Sequence, residues 1–433
     1  MTPQHINIIS LGCSKNLVDS ERLLKMCEDY GIKATHNDAV TTRCDAVVIN
    51  TCGFIADAKE ESINTILEAV RAKEDGYIKA VYVMGCLSQR YPEQLAAEIP
   101  EVDGWYGKTS WVDLLKEIGL RRHKNSRVFE RQLTTPPYST YLKIAEGCNR
   151  FCAFCAIPHI TGRYTSRPME EILEEVEWLV SKGVKEFNVI AQEITRYGAD
   201  LYGKVAIAEL IDKIAGIEGV EWIRLHYAYP SEFPDDLLDV MAKHPNVCRY
   251  LDIALQHVAD PVLSNMRRHI TGEETRALLA KIRAKVPGIH IRTTLMVGFP
   301  GEGEKEFNEL MDFVREQRFE RMGAFAYCEE EDTYAAKNFS DDIPDDVKAQ
   351  RLDALMALQE EISQEINNTK IGSIVKVLIE SEEADYYVGR SEFDSPEVDP
   401  EVLVEKSRPL TIGEFYDVKI TEAMPFDLIA KLC

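Results

Sequence analysis

The sequence lacks a surplus of basic residues. It contains 50 Lys and Arg against 73 Asp and Glu, which gives a net charge of −23 at pH 7. Nucleic-acid-binding proteins usually carry a basic footprint, so the chain as a whole does not fit that class. A protein this acidic is better suited to a basic partner.

Long apolar segments are also missing. No run reaches the length that spans a membrane, and residues 1–10 lack the charged-then-apolar order of a signal peptide. Both absences favour a cytoplasmic protein. The 11 cysteines are an odd number, which argues against a complete disulfide framework. Clustered cysteines in a long cytoplasmic chain more often bind metal or carry out redox chemistry.

Three cysteines stand close together after a short apolar stretch at residues 141–145. They are Cys148, Cys152 and Cys155, with the spacing C-x3-C-x2-C. Three thiolates on one loop can hold three irons of a 4Fe–4S cluster and leave the fourth iron open to another ligand. The spacing differs from that of a two-cluster ferredoxin, and the histidines of a zinc finger are absent. A zinc knuckle or three unrelated thiols are the alternatives.

Three further cysteines each follow a buried-strand pattern in the N-terminal third. The pairs are residues 6–12 with Cys13, residues 45–51 with Cys52, and residues 79–85 with Cys86. Helical patterns follow each pair, at about 17–30, 58–74 and 91–99, and this alternation predicts a doubly wound parallel sheet. Ligands bind at the carboxyl ends of such strands, so we expect the three thiols to meet there as a second three-thiolate cluster site. A lone cysteine is usually a small buried hydrophobic residue, and we interpret the five remaining cysteines in this way. These are Cys27, Cys44, Cys248, Cys328 and Cys433.

The middle of the chain alternates strand and helix patterns six times. This predicts an open, partial TIM-type barrel of (β/α)6 form, with its site at the C-terminal strand ends. The C-x3-C-x2-C loop follows the first strand. The predicted strands are 141–146, 186–193, 222–229, 250–257, 289–298 and 321–327, and the predicted helices are 169–182, 207–215, 235–243, 274–285, 304–315 and a connecting helix at 348–368. Polar side chains lie within or at the ends of three strands, at Gln192, Gln256 and Arg292.

The last part of the chain changes to short β-type runs broken by Gly, Pro and Asp. Five such runs, at 374–380, 386–390, 402–404, 416–420 and 428–430, predict a small antiparallel barrel. Residues 367–433 carry 7 Lys and Arg against 14 Asp and Glu, a net charge of −7. Small barrels of this type often bind nucleic acid through contacts from Lys and Arg to phosphate, so an acidic one favours a basic protein instead. A stabilising cap with a solvated acidic face is the alternative.

C-x3-C-x2-C is the signature of the radical S-adenosylmethionine (SAM) enzymes, and the whole chain resembles the methylthiotransferases of that superfamily. The motifs that carry the resemblance are LGCSKN at 11–16, NTCGFI at 50–55, MGCL at 84–87 and EGCNRFCAFCAIP at 146–158. The resemblance implies an N-terminal three-cysteine domain, a radical-SAM barrel and a C-terminal TRAM barrel. It places them at 1–122, 134–366 and 367–433.

The resemblance also implies the cofactors. A 4Fe–4S cluster on the C-x3-C-x2-C loop would bind SAM at its open iron and form a 5′-deoxyadenosyl radical. A second 4Fe–4S cluster on the three N-terminal thiols would deliver a methylthio group, with the methyl carbon taken from another SAM. Gln192, Gln256 and Arg292 are candidate SAM contacts. Lys15 is a candidate contact for the added sulfur or for a substrate carboxylate, and a surface charge is its plainer interpretation.

Two branches of the family differ in substrate. One modifies isopentenyladenosine in tRNA, and the other modifies the β-carbon of an aspartate in small-subunit ribosomal protein twelve. Residues 12–21 and 389–399 are similar to the ribosomal-protein branch, and the acidic barrel agrees because ribosomal proteins are typically basic. The expected partners are therefore this basic protein, free or on the ribosome, and an electron donor such as flavodoxin or ferredoxin. The alternatives outside the family are an iron–sulfur electron carrier or redox sensor, and a zinc protein.

Overall fold

The structure is a computed structural model that describes residues 3–108, 111–119 and 129–433. Its strands form two parallel sheets, a closed barrel and a small two-stranded pair. The expected boundary at residue 122 lies outside the described residues. Within those residues, no helix is both long and apolar enough to cross a membrane.

The N-terminal part is a five-stranded parallel sheet with helices on both faces. Its elements are β1 (His5–Ser10), α1 (Ser14–Asp29), β2 (Lys33–His36), β3 (Cys44–Thr51), α2 (Ala56–Glu74), β4 (Ile78–Gly85), α3 (Cys86–Arg90), α4 (Pro92–Glu98), β5 (Gly104–Trp105) and α5 (Trp111–Glu117). The strand order is β2-β1-β3-β4-β5. The predicted doubly wound sheet is confirmed, whereas the short strands β2 and β5 were not predicted.

Alternation along β3 explains the two-sided packing, because successive side chains of a strand point to opposite faces. Val48 packs in one cluster with Leu23 of α1. Its neighbour Val47 packs in another cluster with Ile66 of α2. An apolar strand covered on both sides is typical of a parallel sheet, and its carboxyl end is then free to carry a site.

The central part is a six-stranded parallel sheet that curves but does not close. Its elements are β6 (Ser139–Lys143), β7 (Ala145–Glu146), α6 (Ile157–Thr161), β8 (Thr165–Ser166), α7 (Met169–Ser181), β9 (Glu186–Ile190), α8 (Ile207–Ala215), β10 (Trp222–Ala228), α9 (Asp235–Lys243), β11 (Val247–Ile253), α10 (Asp260–Asn265), α11 (Gly272–Lys285), β12 (His290–Val297), α12 (Glu304–Gln317), β13 (Arg321–Ala326), α13 (Tyr334–Asn338) and α14 (Asp345–Thr369). The order β13-β12-β11-β10-β9-β6 leaves β6 and β13 as the two edges. This confirms the predicted partial barrel, and the C-x3-C-x2-C loop follows its first strands.

The C-terminal part is a closed five-stranded barrel. Its strands are β14 (Ile374–Glu382), β15 (Tyr386–Ser391), β16 (Val402–Glu405), β17 (Phe415–Ala423) and β18 (Leu428–Leu432), in the order β14-β15-β16-β18-β17. The expectation of purely antiparallel pairing needs one correction, because β16 and β18 are parallel. A closed ring with an odd number of strands cannot alternate direction throughout, so one neighbouring pair must run the same way.

Candidate active site

Six cysteines line one cavity of about 350 Å³. Three of them follow β1, β3 and β4 at the carboxyl edge of the N-terminal sheet, and three lie on the loop after β7. They are Cys13, Cys52, Cys86, Cys148, Cys152 and Cys155. The structure therefore brings the two predicted sets of thiols together, from two different sheets, around one space.

Glycines beside the N-terminal thiols allow the three loops to approach each other. Gly12 has φ +83°, and a Cβ atom there would lie 2.6 Å from the Cβ atom and 2.9 Å from the Sγ atom of Cys52. Gly85 has φ +107°, and its Cβ atom would lie 2.6 Å from the backbone oxygen of Thr51. Any side chain at either position would push the cysteine loops apart.

Two buried asparagines fix these loops. Asn16 donates from Nδ2 to the backbone oxygens of Leu11 at 3.1 Å and Thr51 at 3.0 Å. Its Oδ1 accepts from the Cys86 thiol at 3.8 Å. Asn50 donates in turn to the backbone oxygen of Asn16 at 2.8 Å. Both residues stand in motifs of the sequence, but their role was not predicted, since most of these pairings link segments 34 to 70 residues apart.

Two lysines bring positive charge to the N-terminal thiols. Burial raises the pKa of a thiol, but at Cys13 the charges of Lys15 and Lys108, together with backbone hydrogen bonds from Lys15 and Asn16, outweigh burial and lower the pKa. At Cys86 the effect of burial is larger than that of the positive charge, and the pKa of this thiol is raised to about 12. Lys108 is 6% exposed and lies 3.3 Å from the carboxylate of Glu146. Sequence reasoning missed Lys108, which follows the very short β5.

Among the thiols of the C-x3-C-x2-C loop, Cys152 is contacted by donors from the barrel. Burial raises the pKa of Cys148 to about 11, and it also raises the pKa of Cys155. Arg268 is 2% exposed and donates from Nη1 to the Sγ atom of Cys152 at 3.2 Å. The hydroxyl of Tyr229 lies 3.6 Å from the same sulfur. Such donors favour a thiolate over a thiol, and neither was predicted from the sequence.

Two of the three candidate SAM contacts line the cavity. Gln192 donates to Glu146, while its own Oε1 is buried and has no partner among the described residues. Gln256 has φ +70° and likewise a buried Oε1 without a described partner. Arg292 does not line the cavity: it is the third residue of β12, near the amino end of that strand, and it pairs with Asp252 at 3.2 Å and Asp399 at 3.3 Å.

The chemistry of the lining suits iron–sulfur clusters together with a ligand that offers hydrogen-bond donors. The six thiols supply soft ligands, and the two glutamine oxygens can accept from amino or hydroxyl groups. Within the described ranges, no three His, Cys, Asp or Glu side chains converge as ligands of a single metal ion. Each thiolate of a 4Fe–4S cluster binds a different iron, so a wider arrangement is what a cluster needs.

Models of known families match three parts of the chain. The Radical SAM superfamily model matches residues 142–314, the model described as Uncharacterized protein family UPF0004 matches residues 5–107, and the TRAM domain model matches residues 371–433. Among solved structures, the chain is similar to the radical S-adenosylmethionine methyltransferase TsrM from Kitasatospora setae, solved with cobalamin and a [4Fe-4S] cluster. The TM-score is 0.59 at 16% identity, with 77% of each chain covered. At this identity the similarity concerns the fold.

Relatives of known name are far more similar in sequence. Three of them carry the name "Ribosomal protein uS12 methylthiotransferase RimO". The protein of Phocaeicola vulgatus is 60% identical over 99% of both chains. That of Bacteroides thetaiotaomicron is 58% identical over 100% of this chain and 99% of its own. That of Flavobacterium johnsoniae is 49% identical over 98% of this chain and 97% of its own. The chain therefore belongs to the family of uS12 methylthiotransferases, radical-SAM transferases whose cofactors are SAM and 4Fe–4S clusters.

Proposed function

We propose that this chain replaces a hydrogen on the β-carbon of an aspartate of ribosomal protein uS12 with a methylthio group. The observation that carries the proposal is that two separate sets of three thiols line one cavity. A transferase that makes a radical on its substrate and then adds sulfur to that carbon needs both functions within reach of one substrate position.

The residue assignment follows the two sets of thiols. Cys148, Cys152 and Cys155 would hold the cluster that binds SAM, and the three N-terminal thiols would hold the second cluster. Gln192 and Gln256 would accept hydrogen bonds from SAM, since their free Oε1 atoms are buried beside the loop. When bound, SAM and the clusters supply the hydrogen-abstracting radical and the methylthio group.

The protein's own residues position these groups and exclude water. Arg150 donates from Nε to Glu193 at 3.0 Å, and its guanidinium lies 4.2 Å from the ring of Tyr229. Arg268 lies 4.1 Å from the same ring. The Tyr229 ring is therefore held between two guanidinium groups, next to Cys152. A wall fixed in this way keeps the loop in place while a reactive radical is present.

The substrate assignment rests on the relatives and on charge. Relatives at 49–60% identity are named for uS12, and residues 367–433 carry a net charge of −7. Two of these carboxylates, Asp394 and Asp399, are buried against arginines of the central barrel. The remaining excess of acidic groups favours a basic ribosomal protein over tRNA. An electron donor such as flavodoxin or ferredoxin would supply the reducing electrons in the cytoplasm. The three expected units, 1–122, 134–366 and 367–433, would then bear the second cluster, the radical chemistry and the substrate contact.

Mass spectrometry on two offered substrates tests the proposal. The anaerobically reconstituted chain would be incubated with SAM, reductant and sulfide, once with unmodified uS12 and once with isopentenylated tRNA. We expect a methylthio mass increment on uS12, localised to one aspartate, and none when SAM is omitted. An increment on the tRNA alone would overturn the substrate. No increment on either would overturn the proposed activity.

A further inference from the structure

Lys15 is a largely buried cation that forms no ion pair with a carboxylate of the described residues. It lies in the first turn of α1, lines the thiol cavity and is 8% exposed. Its Nζ atom lies 3.4 Å from the centroid of the Tyr227 ring. Within the described part of the chain, no carboxylate and no hydrogen-bond acceptor reaches the ammonium group, and its only charge interaction with a nearby acidic group is with the Cys13 thiol.

The other cations of the cavity are engaged. Lys108 pairs with Glu146 at 3.3 Å. Arg150 pairs with Glu193. Arg268 donates to the sulfur of Cys152 and to the backbone oxygen of Ala254. Lys15 is thus the cavity cation that the described residues leave free to meet a ligand.

An unpaired buried ammonium is unfavourable. Removal from water costs several kcal/mol unless hydrogen bonds or an opposite charge compensate. A cation–π contact stabilises the ammonium group by roughly 0.5–2 kcal/mol, so it offsets only part of that cost. A ligand anion that enters the cavity would supply the missing compensation.

The ring beneath Lys15 is held in an unusual backbone conformation. Tyr227 has φ +61°, in the left-handed region that a bulky residue rarely adopts. Its backbone N–H donates to Oδ2 of Asp252 at 3.2 Å. Asp252 is 4% exposed and accepts from Arg292 at 3.2 Å. Such strain persists only where the surroundings impose it, and it tends to occur at functional sites.

The support for Tyr227 continues into the C-terminal barrel. Arg292 donates from Nε to Oδ1 of Asp399 at 3.3 Å. The hydroxyl of Tyr250 donates to Oδ2 of the same carboxylate at 2.7 Å. A chain of contacts therefore connects Asp399, through Arg292 and Asp252, to Tyr227, whose ring lies against the Lys15 ammonium group.

We propose that Lys15 binds the carboxylate of the acidic side chain that is modified, with Tyr227 as the residue that positions the ammonium group. The inference rests on the proposed function, because it concerns how that site recognises its substrate. Lys15 lies two residues from Cys13, so a carboxylate bound there would bring its β-carbon next to the N-terminal thiols. Recognition by charge predicts that an aspartate is favoured over an amide of the same shape.

The test compares two substrates with two variants. Binding of unmodified uS12, and of uS12 with Asn in place of the modified aspartate, would be measured with the reconstituted enzyme and its Lys15→Met and Lys15→Arg variants. We expect the wild-type enzyme to favour the aspartate form roughly 10-fold, the advantage of a charged over a neutral hydrogen bond. Lys15→Met should abolish or reverse this preference, and Lys15→Arg should retain part of it.

Controls separate this role from others. Lys25→Met changes a lysine of the same helix that pairs with Glu28 and Asp29 at the surface, and it should leave the preference intact. Iron content reports on the clusters: a Lys15→Met protein that loses iron would show that Lys15 serves the thiolates, and this would overturn the proposal. If the wild-type enzyme modifies uS12 while Lys15→Met keeps the aspartate preference, the inference about Lys15 fails alone. If the wild-type enzyme neither binds nor modifies uS12, the proposed function fails with it.

Discussion

Arg390 of β15 and Glu186 of β9 form a two-bond ion pair between the C-terminal and central barrels, at 2.7 and 3.1 Å. The Glu186 side chain is 0% exposed and the Arg390 side chain 2%. Glu186 also accepts from Arg224 at 3.1 Å, and Arg390 also donates to Glu380. Glu186 is the first residue of its strand, so the C-terminal barrel is fixed at the end of the central barrel opposite the thiols.

Removal of Arg390 should destabilise the protein strongly. Arg390→Met would leave Glu186 buried with only part of its compensation, and breaking a buried pair in this way costs about 3–5 kcal/mol. The double variant Glu186→Gln/Arg390→Met should cost less than Arg390→Met alone. Chemical denaturation measures both free energies of unfolding. Lys406→Met, which breaks the more exposed pair with Glu382, serves as the control and should cost about 0–1 kcal/mol.

The ion pair of Arg390 and Glu186 predicts that the stability of the fold depends on pH. Burial alone would raise the pKa of Glu186, but Arg390 and Arg224 outweigh burial and lower the pKa from 4.5 to about 2. Because the folded pKa lies below the unfolded one, the charged carboxylate stabilises the fold fully above about pH 4.5, and this contribution is lost as the pH falls towards 2. The difference in melting temperature between the wild-type protein and Glu186→Gln should therefore shrink across this window. A difference that stays constant from pH 6 to pH 2 would contradict the assignment.

The sequence predicted the thiol cavity because its signal is local. Each N-terminal cysteine ends an apolar strand, and parallel strands end at one edge of a sheet. Lys108, Asn16 and Arg268 carry no such pattern. Their contacts with the thiols depend on how separate segments pack, so only the structure reveals them. Arg292 shows the converse: its place in a barrel strand suggested a ligand contact, but its side chain pairs with Asp252 and with Asp399 of the C-terminal part.

Charge composition was a less reliable guide in the C-terminal barrel. The segment 389–399 contributed to the expectation of an acidic, partner-binding face. Asp394 is 2% exposed and pairs with Arg321 at 2.6 Å, and Asp399 pairs with Arg292. These carboxylates face the central barrel. A sequence shows how many charges a segment has, but it does not show which of them the fold turns inward.

Substitution of Gly12 should impair the N-terminal cluster site while the fold persists. In Gly12→Ala the new Cβ atom would lie 2.6 Å from the Cβ atom of Cys52 at φ +83°. We expect iron content to fall from about eight to about four per chain as one 4Fe–4S cluster is lost. Gly31→Ala is the matched control, because Gly31 has φ +70° but open space around its Cβ position. It should cost about 1–2 kcal/mol of stability through its backbone alone and keep the iron. Equal iron loss in both variants would show that backbone strain, not the contact with Cys52, is responsible.

Loss of one N-terminal thiol should separate the two halves of the reaction. Cys52 belongs to the N-terminal set of thiols in the cavity, whereas the C-x3-C-x2-C loop carries a complete set of three thiols of its own. Cys52→Ala should therefore still release 5′-deoxyadenosine from SAM and yet leave uS12 without a methylthio group. Its iron content should fall to about four per chain. Chromatography of the nucleoside and mass spectrometry of uS12 measure the two products in one reaction.

Cys44→Ala is the control for Cys52→Ala, because it removes a buried thiol from the opposite end of the same strand, at the start of β3 and away from the cavity. It should keep both products and the full iron content, since Cys44 only packs in the core and donates to the backbone oxygen of Ala46 at 3.4 Å. A Cys152→Ala protein should behave in the opposite way to Cys52→Ala and stop SAM cleavage itself. Full methylthiolation by Cys52→Ala would show that the N-terminal thiols do not carry the sulfur-transfer step, and the cavity would then need only one cluster.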